Sequence, residues 1–188
     1  MQSIQTYDFS GKRTLIRVDF NVPLDKETLE ITDDTRIRAA APTIQHILKQ
    51  GGSVVIVSHL GRPKLGSEPE FSLRNIVSHT SKILGVEVKF AGDCIGDKAL
   101  QMSSDLKSGE VMMLENVRYY KHETTGNIDF AEKLSKHGDV YVNDAFGTAH
   151  RAHASTTGVA EFFPNAKMFG FLIEREIVAV DQVINSKL

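Results

Sequence analysis

The stretch TLIRVDFNVP, residues 14–23, decides how this chain folds. Its apolar and β-branched side chains predict a buried strand, and Pro23 ends that strand because proline cannot donate to the ladder. Asp19 and Asn21 come at the carboxyl end of the strand. In an open α/β sheet, ligands bind beyond the carboxyl ends of the strands, so these two side chains are the first candidates for a binding site.

The composition is that of a globular protein and excludes several kinds of function. The 188 residues are 41% hydrophobic and 24% charged, and their net charge of -2 predicts no basic surface for nucleic acid. Cys94 is the only cysteine, so no disulfide can form within the chain. Because the sequence has no long apolar run and no apolar signal core at its start, we expect a cytoplasmic protein without a membrane span.

Short apolar runs alternate with stripes of helical spacing along the whole chain. The predicted strands are 13–19, 53–58, 86–90, 111–114 and 139–142. The predicted helices are 35–50, 72–84, 96–108, 128–137 and 171–188. Pro42 lies inside the first pattern, where it either kinks the helix or marks its true start. This alternation predicts an α/β fold, a three-layer Rossmann-like domain whose mostly parallel sheet is covered by helices on both faces.

Basic side chains collect just after the predicted strands. Those after the first, second, fourth and fifth strands are Arg36, His59, Arg62, Lys64, Arg118, Lys121, His150, Arg151 and His153. A single loop arginine is usually a solvated surface charge. Four of the nine arginines at one edge of a sheet are a stronger signal, since guanidinium groups and helix N-termini both suit phosphate and carboxylate. The pattern predicts a site for a small substrate with more than one negative charge.

Other chemical patterns are weaker. Arg17 alternates onto the same face as Asp19 within the predicted strand, and we interpret the two as a buried ion pair. The glycines at 61–67 lack the Lys-Ser/Thr of a phosphate-binding P-loop, and no G-x-G-x-x-G follows a strand. His150 and His153 have no convincing third ligand, so we predict no metal site.

Taken together, five segments resemble the N-terminal domain of the phosphoglycerate kinase family. They are TLIRVDFNVP (14–23), ITDDTRIRAAAPTI (31–44), SHLGRPK (58–64), LENVRYYKHE (114–123) and YVNDAFGTAHRAHAST (141–156). The resemblance implies a substrate-binding N-terminal domain over 1–170 and the start of an interdomain connector helix over 171–188. It also implies that the family's nucleotide-binding C-terminal domain is absent from this sequence.

The resemblance further implies a site and a reaction. The residues that would bind 3-phosphoglycerate or 1,3-bisphosphoglycerate are Asp19, Phe20, Asn21, Arg36, His59, Leu60, Gly61, Arg62, Arg118 and Arg151. Asp19 and Asn21 would hold the glycerate. His59 and three of the arginines would hold the phosphate, and Arg36 would be the catalytic residue nearest the transferring phosphoryl group.

Members of the family transfer a phosphoryl group reversibly from 1,3-bisphosphoglycerate to ADP in glycolysis. Mg-ATP or Mg-ADP would belong to the missing C-terminal domain, so no cofactor is expected in this chain. We expect the chain to be a monomer that binds 3-phosphoglycerate without catalysing. Two alternatives stay open: a non-catalytic interaction module, and a sugar-phosphate isomerase or phosphatase, for which Asp19 and Asp144 are the only acidic residues to nominate.

Overall fold

A single sheet of six parallel strands runs through the computed structural model, which describes residues 2–185. The strands are β1 Arg13–Arg17, β2 Ser53–Val57, β3 Val88–Phe90, β4 Val111–Met113, β5 Val140–Asn143 and β6 Lys167–Phe169. Their order in the sheet is β3-β4-β2-β1-β5-β6. Arg17, the last residue of β1, is in register with Val57 of β2 and with Asn143 of β5.

Helices connect the strands. They are α1 Thr35–Lys49, α2 Arg74–Leu84, α3 Asp97–Ser104, α4 Lys121–Thr124, α5 Ile128–Ser135 and α6 Phe171–Asn185. α1 continues through Pro42, which is exposed, so the proline does not divide the helix. Gly85 ends α2 at a φ of +73°, a left-handed conformation that glycine adopts without steric cost. No helix within residues 2–185 combines the length and the hydropathy that a bilayer crossing requires.

Two apolar cores lie on opposite faces of the sheet because successive strand residues point to opposite sides. Ile16 packs in the core that contains α1 and α2, whereas Leu15 packs in the core that contains α5. The other strand residues alternate in the same way, with Val54, Ile56 and Val142 on the first face and Val55, Val57 and Tyr141 on the second. The predicted three-layer arrangement with helices on both faces is therefore confirmed.

The chain reverses its direction of travel across the sheet at β1. β2 pairs with one side of β1, and β5 pairs with the other. In sheets of this kind, the crevice at such a reversal is the usual place for a ligand. The four central strands β4, β2, β1 and β5 are those whose following loops carry the predicted basic residues. We call their shared end the carboxyl edge of the sheet.

The structure differs from the predicted elements at the margins. β6 was not predicted, because it has three residues and only Met168 among them is buried. α4, a single turn, was also missed. The predicted strand 13–19 ends at Arg17, so Asp19 lies in the loop that follows β1. This early ending removes the alternation on which the predicted Arg17–Asp19 pair depended.

Candidate functional site

Asp19 pairs with Arg36 at the centre of the carboxyl edge. Arg36, in the first turn of α1, donates from Nη1 to Asp19 Oδ2 over 2.8 Å. The other oxygen of Asp19 accepts the backbone N–H of Asn21 at 3.1 Å. The side chain of Arg36 remains 52% exposed. The predicted ion pair between Arg17 and Asp19 is wrong, and the partner of Asp19 is one of the basic residues predicted to bind the substrate.

Asn21 joins the loop after β1 to the loop after β2. Its Oδ1 accepts the backbone N–H of Gly61 at 2.7 Å. Gly61 has a φ of +60°, and a Cβ there would lie 2.3 Å from the ring of Phe71. Only glycine can occupy this position without displacing Phe71. The loop therefore holds its amide against Asn21 at the carboxyl edge.

Phe20 and Leu60, two predicted substrate-contacting residues, are buried in the core beneath α1. The backbone N–H of Phe20 donates to Ser58 Oγ at 2.9 Å. The carbonyl of Leu60 accepts from Asn116 Nδ2 at 2.7 Å. Since both side chains are packed against apolar neighbours, a ligand at the edge would meet only their backbone atoms. Their predicted role in binding stays a prediction.

His59 lies at the carboxyl edge as an uncharged donor. Its pKa is lowered from the usual 6.5 to about 2, first by burial and then by the nearby guanidinium groups of Arg17, Arg118 and Arg36. Arg17 Nη2 lies 3.1 Å from His59 Nδ1. Because a guanidinium can only donate, Nδ1 must accept, and the ring proton resides on Nε2. His59 therefore adds no positive charge to this edge.

Arg118 is surrounded by other arginines. It is half-buried and donates from Nη1 to the carbonyl of Gly61 at 3.4 Å. Its pKa is lowered by burial first and then by the charges of Arg17, Arg151 and Arg62. An anion bound beside these groups would relieve their mutual repulsion, since opposite charges favour the ionised form. Arg62 and Arg151 are exposed and free to reach such an anion.

Arg17 is a buried cation that sequence reasoning assigned to the wrong partner. It is 1% exposed, and its Nε donates to Ser155 Oγ at 2.8 Å, while Nη1 donates to the carbonyl of Val18. Ser155 in turn contacts the buried carboxylate of Glu123. Neither residue was predicted to belong to the site. The sequence carried only a general signal, that a buried arginine is stable only beside hydrogen-bond acceptors or a carboxylate, and it did not indicate which carboxylate.

Metal-binding groups are not gathered at this site. Within residues 2–185, no three histidine, cysteine or carboxylate groups are arranged to hold a metal ion. His150 is exposed, and His153 is held near Glu123, with 3.9 Å between Nδ1 and Oε1. Burial is the main cause that lowers the pKa of His153. The site is suited to hydrogen bonding and charge stabilisation by arginine.

Comparisons with known proteins agree on one family. The family model described as "Phosphoglycerate kinase" matches residues 4–188. The chain is 52% identical to the chloroplastic phosphoglycerate kinase of Volvox carteri, over 95% of this chain and 38% of that protein. It is also 52% identical to the cytosolic phosphoglycerate kinase of Nicotiana tabacum, over 93% of this chain and 43% of that protein.

A solved structure gives the same result for the fold. The crystal structure of phosphoglycerate kinase from Pyrococcus horikoshii OT3 superimposes with a TM-score of 0.86 at 35% identity. The alignment covers 97% of this chain and 45% of that one. The chain thus spans less than half the length of these three relatives.

Proposed function

The chain belongs to the phosphoglycerate kinase family, and we propose that it is the half of such a kinase that holds 3-phosphoglycerate or 1,3-bisphosphoglycerate. The observation that carries the proposal is the carboxyl edge itself. There, Asp19 and Asn21 lie beside the neutral donor His59 and the mutually repelling group around Arg118. Such an edge suits a small molecule that carries a hydroxyl, a carboxylate and a phosphate.

The two ends of the site have different chemistry. Asp19 and Asn21 offer oxygen and amide groups, which suit the hydroxyl and carboxylate of glycerate. Arg62, Arg118 and Arg151 offer planar forks of donors, which suit a phosphate. His59 adds a donor through Nε2–H that requires no protonation. We assign the phosphate to the arginine end and the glycerate to the acidic end.

In the proposed reaction, the protein mainly positions the reactants and stabilises the charge of the transition state. The group that attacks is the carboxylate of 3-phosphoglycerate, so no strong general base is needed. Arg36 is the proposed catalytic residue. It is held at Asp19 by an exposed pair, from which it can turn to the oxygens of a transferring phosphoryl group. The edge is accordingly rich in arginine, while paired acid–base residues are few.

Mg-ATP or Mg-ADP would supply or accept the phosphoryl group. We assign its binding to the part of the family's length that this chain does not span. The exposed apolar residues of α6, which include Ile177, Val178, Val180 and Ile184, support docking of that part. By itself, the chain would bind substrate without turnover, as a monomer in the cytoplasm.

Calorimetric titration with 3-phosphoglycerate tests this proposal. We expect saturable binding with a dissociation constant of roughly micromolar to millimolar size, and much weaker binding of glycerate, which lacks the phosphate. A coupled ATP assay on the chain alone should read background. Equal affinities for glycerate and 3-phosphoglycerate, or no heat with either, would contradict the proposed function.

A further inference from the structure

A serine hydroxyl bridges a buried charge pair behind the arginine-bearing loops. Arg17 donates from Nε to Ser155 Oγ over 2.8 Å, and that hydroxyl donates to Glu123 Oε1 over 2.5 Å. The backbone N–H of Ser155 donates to Glu123 Oε2 over 2.9 Å. None of the three residues is more than 1% exposed. Two charges removed from water in this way need hydrogen-bond partners, and each side-chain nitrogen of Arg17 and each carboxylate oxygen of Glu123 has one.

The bridge connects the two loops that carry arginines of the proposed site. Glu123 lies on α4, five residues after Arg118 in the segment that follows β4. Ser155 lies four residues after Arg151 in the segment that follows β5. Neither loop pairs with the other as a strand, since β4 and β5 are separated in the sheet by β2 and β1. The carboxylate of Glu123 supplies a side-chain link between them through Ser155.

Backbone packing brings the same two segments together. Gly126, just after α4, lies so close to Ala152 that a Cβ would be 2.5 Å from its carbonyl oxygen. The hydroxyl of Thr156 donates to the carbonyl of Arg151 at 2.7 Å, which folds the second loop onto itself. The bridge also continues to the carboxyl edge, because Arg17 donates from Nη2 to His59 Nδ1.

We propose that Glu123 is a positioning residue of the anion site. Through Ser155 it holds Arg17 in place, it ties the Arg151 loop to the segment of Arg118, and it keeps Nε2–H of His59 directed to the edge. The inference rests on the proposed function for the identity of the anion. In this role, Glu123 does not contact the substrate. It sets the positions of the hydrogen-bond donors that would contact it.

The sign of an affinity change separates this role from a purely electrostatic one. Glu123 is a negative charge near Arg118 and raises the pKa of that guanidinium, against the effect of the neighbouring arginines. If Glu123 acted only through its charge, neutralising it would make the edge more positive and would strengthen anion binding. If it positions the loops, the same change weakens anion binding in spite of the added positive charge.

The test uses the full chain with the variant Glu123→Gln and two probes, 3-phosphoglycerate and inorganic phosphate. We expect both dissociation constants to rise roughly tenfold or more, because the buried partner of Arg17 is lost. His137→Gln is the matched control. His137 is also buried and hydrogen-bonded, to Ser103 Oγ at 2.9 Å and the carbonyl of Cys94 at 2.7 Å, away from the carboxyl edge. This variant should lose stability with unchanged dissociation constants.

A second variant and a ligand-free measurement complete the test. Ser155→Ala removes the hydroxyl between Arg17 and Glu123 but keeps the charge of Glu123 and its bond from the Ser155 backbone N–H. It should weaken the binding of both probes, and it replaces Glu123→Gln if that variant does not fold. Proton exchange of Arg17 Nε–H and of the Ser155 amide, followed by NMR, should accelerate in Glu123→Gln and not in His137→Gln.

Each outcome decides the inference. Tighter or unchanged phosphate binding in both site variants overturns it, and weaker binding in both supports it. If the wild-type chain binds phosphate but not 3-phosphoglycerate, the proposed function fails, and the phosphate comparison still decides the role of Glu123. If the chain binds neither probe, the exchange measurement decides: retained protection in Glu123→Gln overturns the inference, and lost protection supports it.

Discussion

Arg36 donates to Asp19 over 2.8 Å, and this contact links the first turn of α1 to the loop that ends β1. The two side chains are 52% and 21% exposed, so the pair is screened by water. A pair of this kind contributes about 1 kcal/mol or less to stability. Under the proposed function, it would orient Arg36 in the absence of substrate and release it at small cost to a phosphoryl group.

Replacing Arg36 with alanine should separate turnover from binding. In a chimera that joins this chain to the nucleotide-binding half of a relative, we expect Arg36→Ala to lower kcat roughly a hundredfold or more. The dissociation constant of 3-phosphoglycerate, measured by calorimetry, should change far less. Arg38→Ala is the control, since Arg38 lies on the same helix and pairs with Asp34. Equal losses of kcat and affinity in Arg36→Ala would contradict the assigned role.

Replacing Arg151 with alanine should affect the binding of 3-phosphoglycerate first, in contrast to Arg36→Ala, which should affect turnover first. We expect Arg151→Ala to weaken binding of 3-phosphoglycerate about tenfold, because it removes a guanidinium from the phosphate end of the site. The dependence of the dissociation constant on salt should also become shallower. Arg74→Ala provides the comparison: Arg74 stacks on Phe90 with 4.6 Å between Cζ and the ring centroid, and its removal should leave affinity unchanged.

Gly61 and Gly66 form a matched pair of loop glycines. Both have positive φ values, but a Cβ at Gly61 would lie 2.3 Å from Phe71, whereas a Cβ at Gly66 would meet nothing within 4 Å. Urea denaturation should show that Gly61→Ala costs about 1–3 kcal/mol and that Gly66→Ala costs about 1 kcal/mol. Only Gly61→Ala should weaken 3-phosphoglycerate binding, because its amide contacts Asn21. Similar effects at both positions would count against a tightly packed loop after β2.

His59 should make stability depend on pH. Its pKa is about 2 in the folded chain and near 6.5 when the chain unfolds. Between these values, the unfolded state binds one proton more, so the free energy of unfolding rises with pH and falls on acidification below about 6.5. His59→Asn, which keeps an acceptor for Arg17, should reduce this slope by up to about 1.4 kcal/mol per pH unit. Urea denaturation at pH 4.5 to 7 measures the slope.

Nitrogen chemical shifts should also report the proton of His59 on Nε2 throughout this range. A His59 that titrates between pH 5 and 7 would show that the ring is charged in the folded chain, contrary to its buried setting.

The sheet could be predicted because its strands are short runs that are apolar on both faces. Residues such as Leu15 and Ile16 serve opposite cores, and this requirement is visible in the sequence. β6 could not be found in this way, since an edge strand with one buried residue carries almost no pattern. The ends of the strands could not be predicted either, because the end of β1 at Arg17 depends on contacts with β2 and β5.

The sequence predicted which residues meet at the candidate site better than it predicted the hydrogen bonds between them. Strand-end positions brought Asp19 and the arginines to one edge, as the parallel topology requires. The partners of Arg17 could not be read from spacing, because Ser155 is 138 positions away and Glu123 lies on a helix of one turn. Long-range hydrogen bonds of this type leave no periodic trace in the sequence.

The position of β1 between β2 and β5 has a consequence for synthesis. Arg17 meets its partner Asn143 only after more than a hundred further residues have left the ribosome. Until then, one side of the central strand is an open edge, which can pair with another chain. Contacts of such long sequence separation also make folding slow. Nascent chains that stop before β5 should therefore be prone to aggregation and should depend on chaperones. This holds although they already contain most residues of the core that includes α1 and α2.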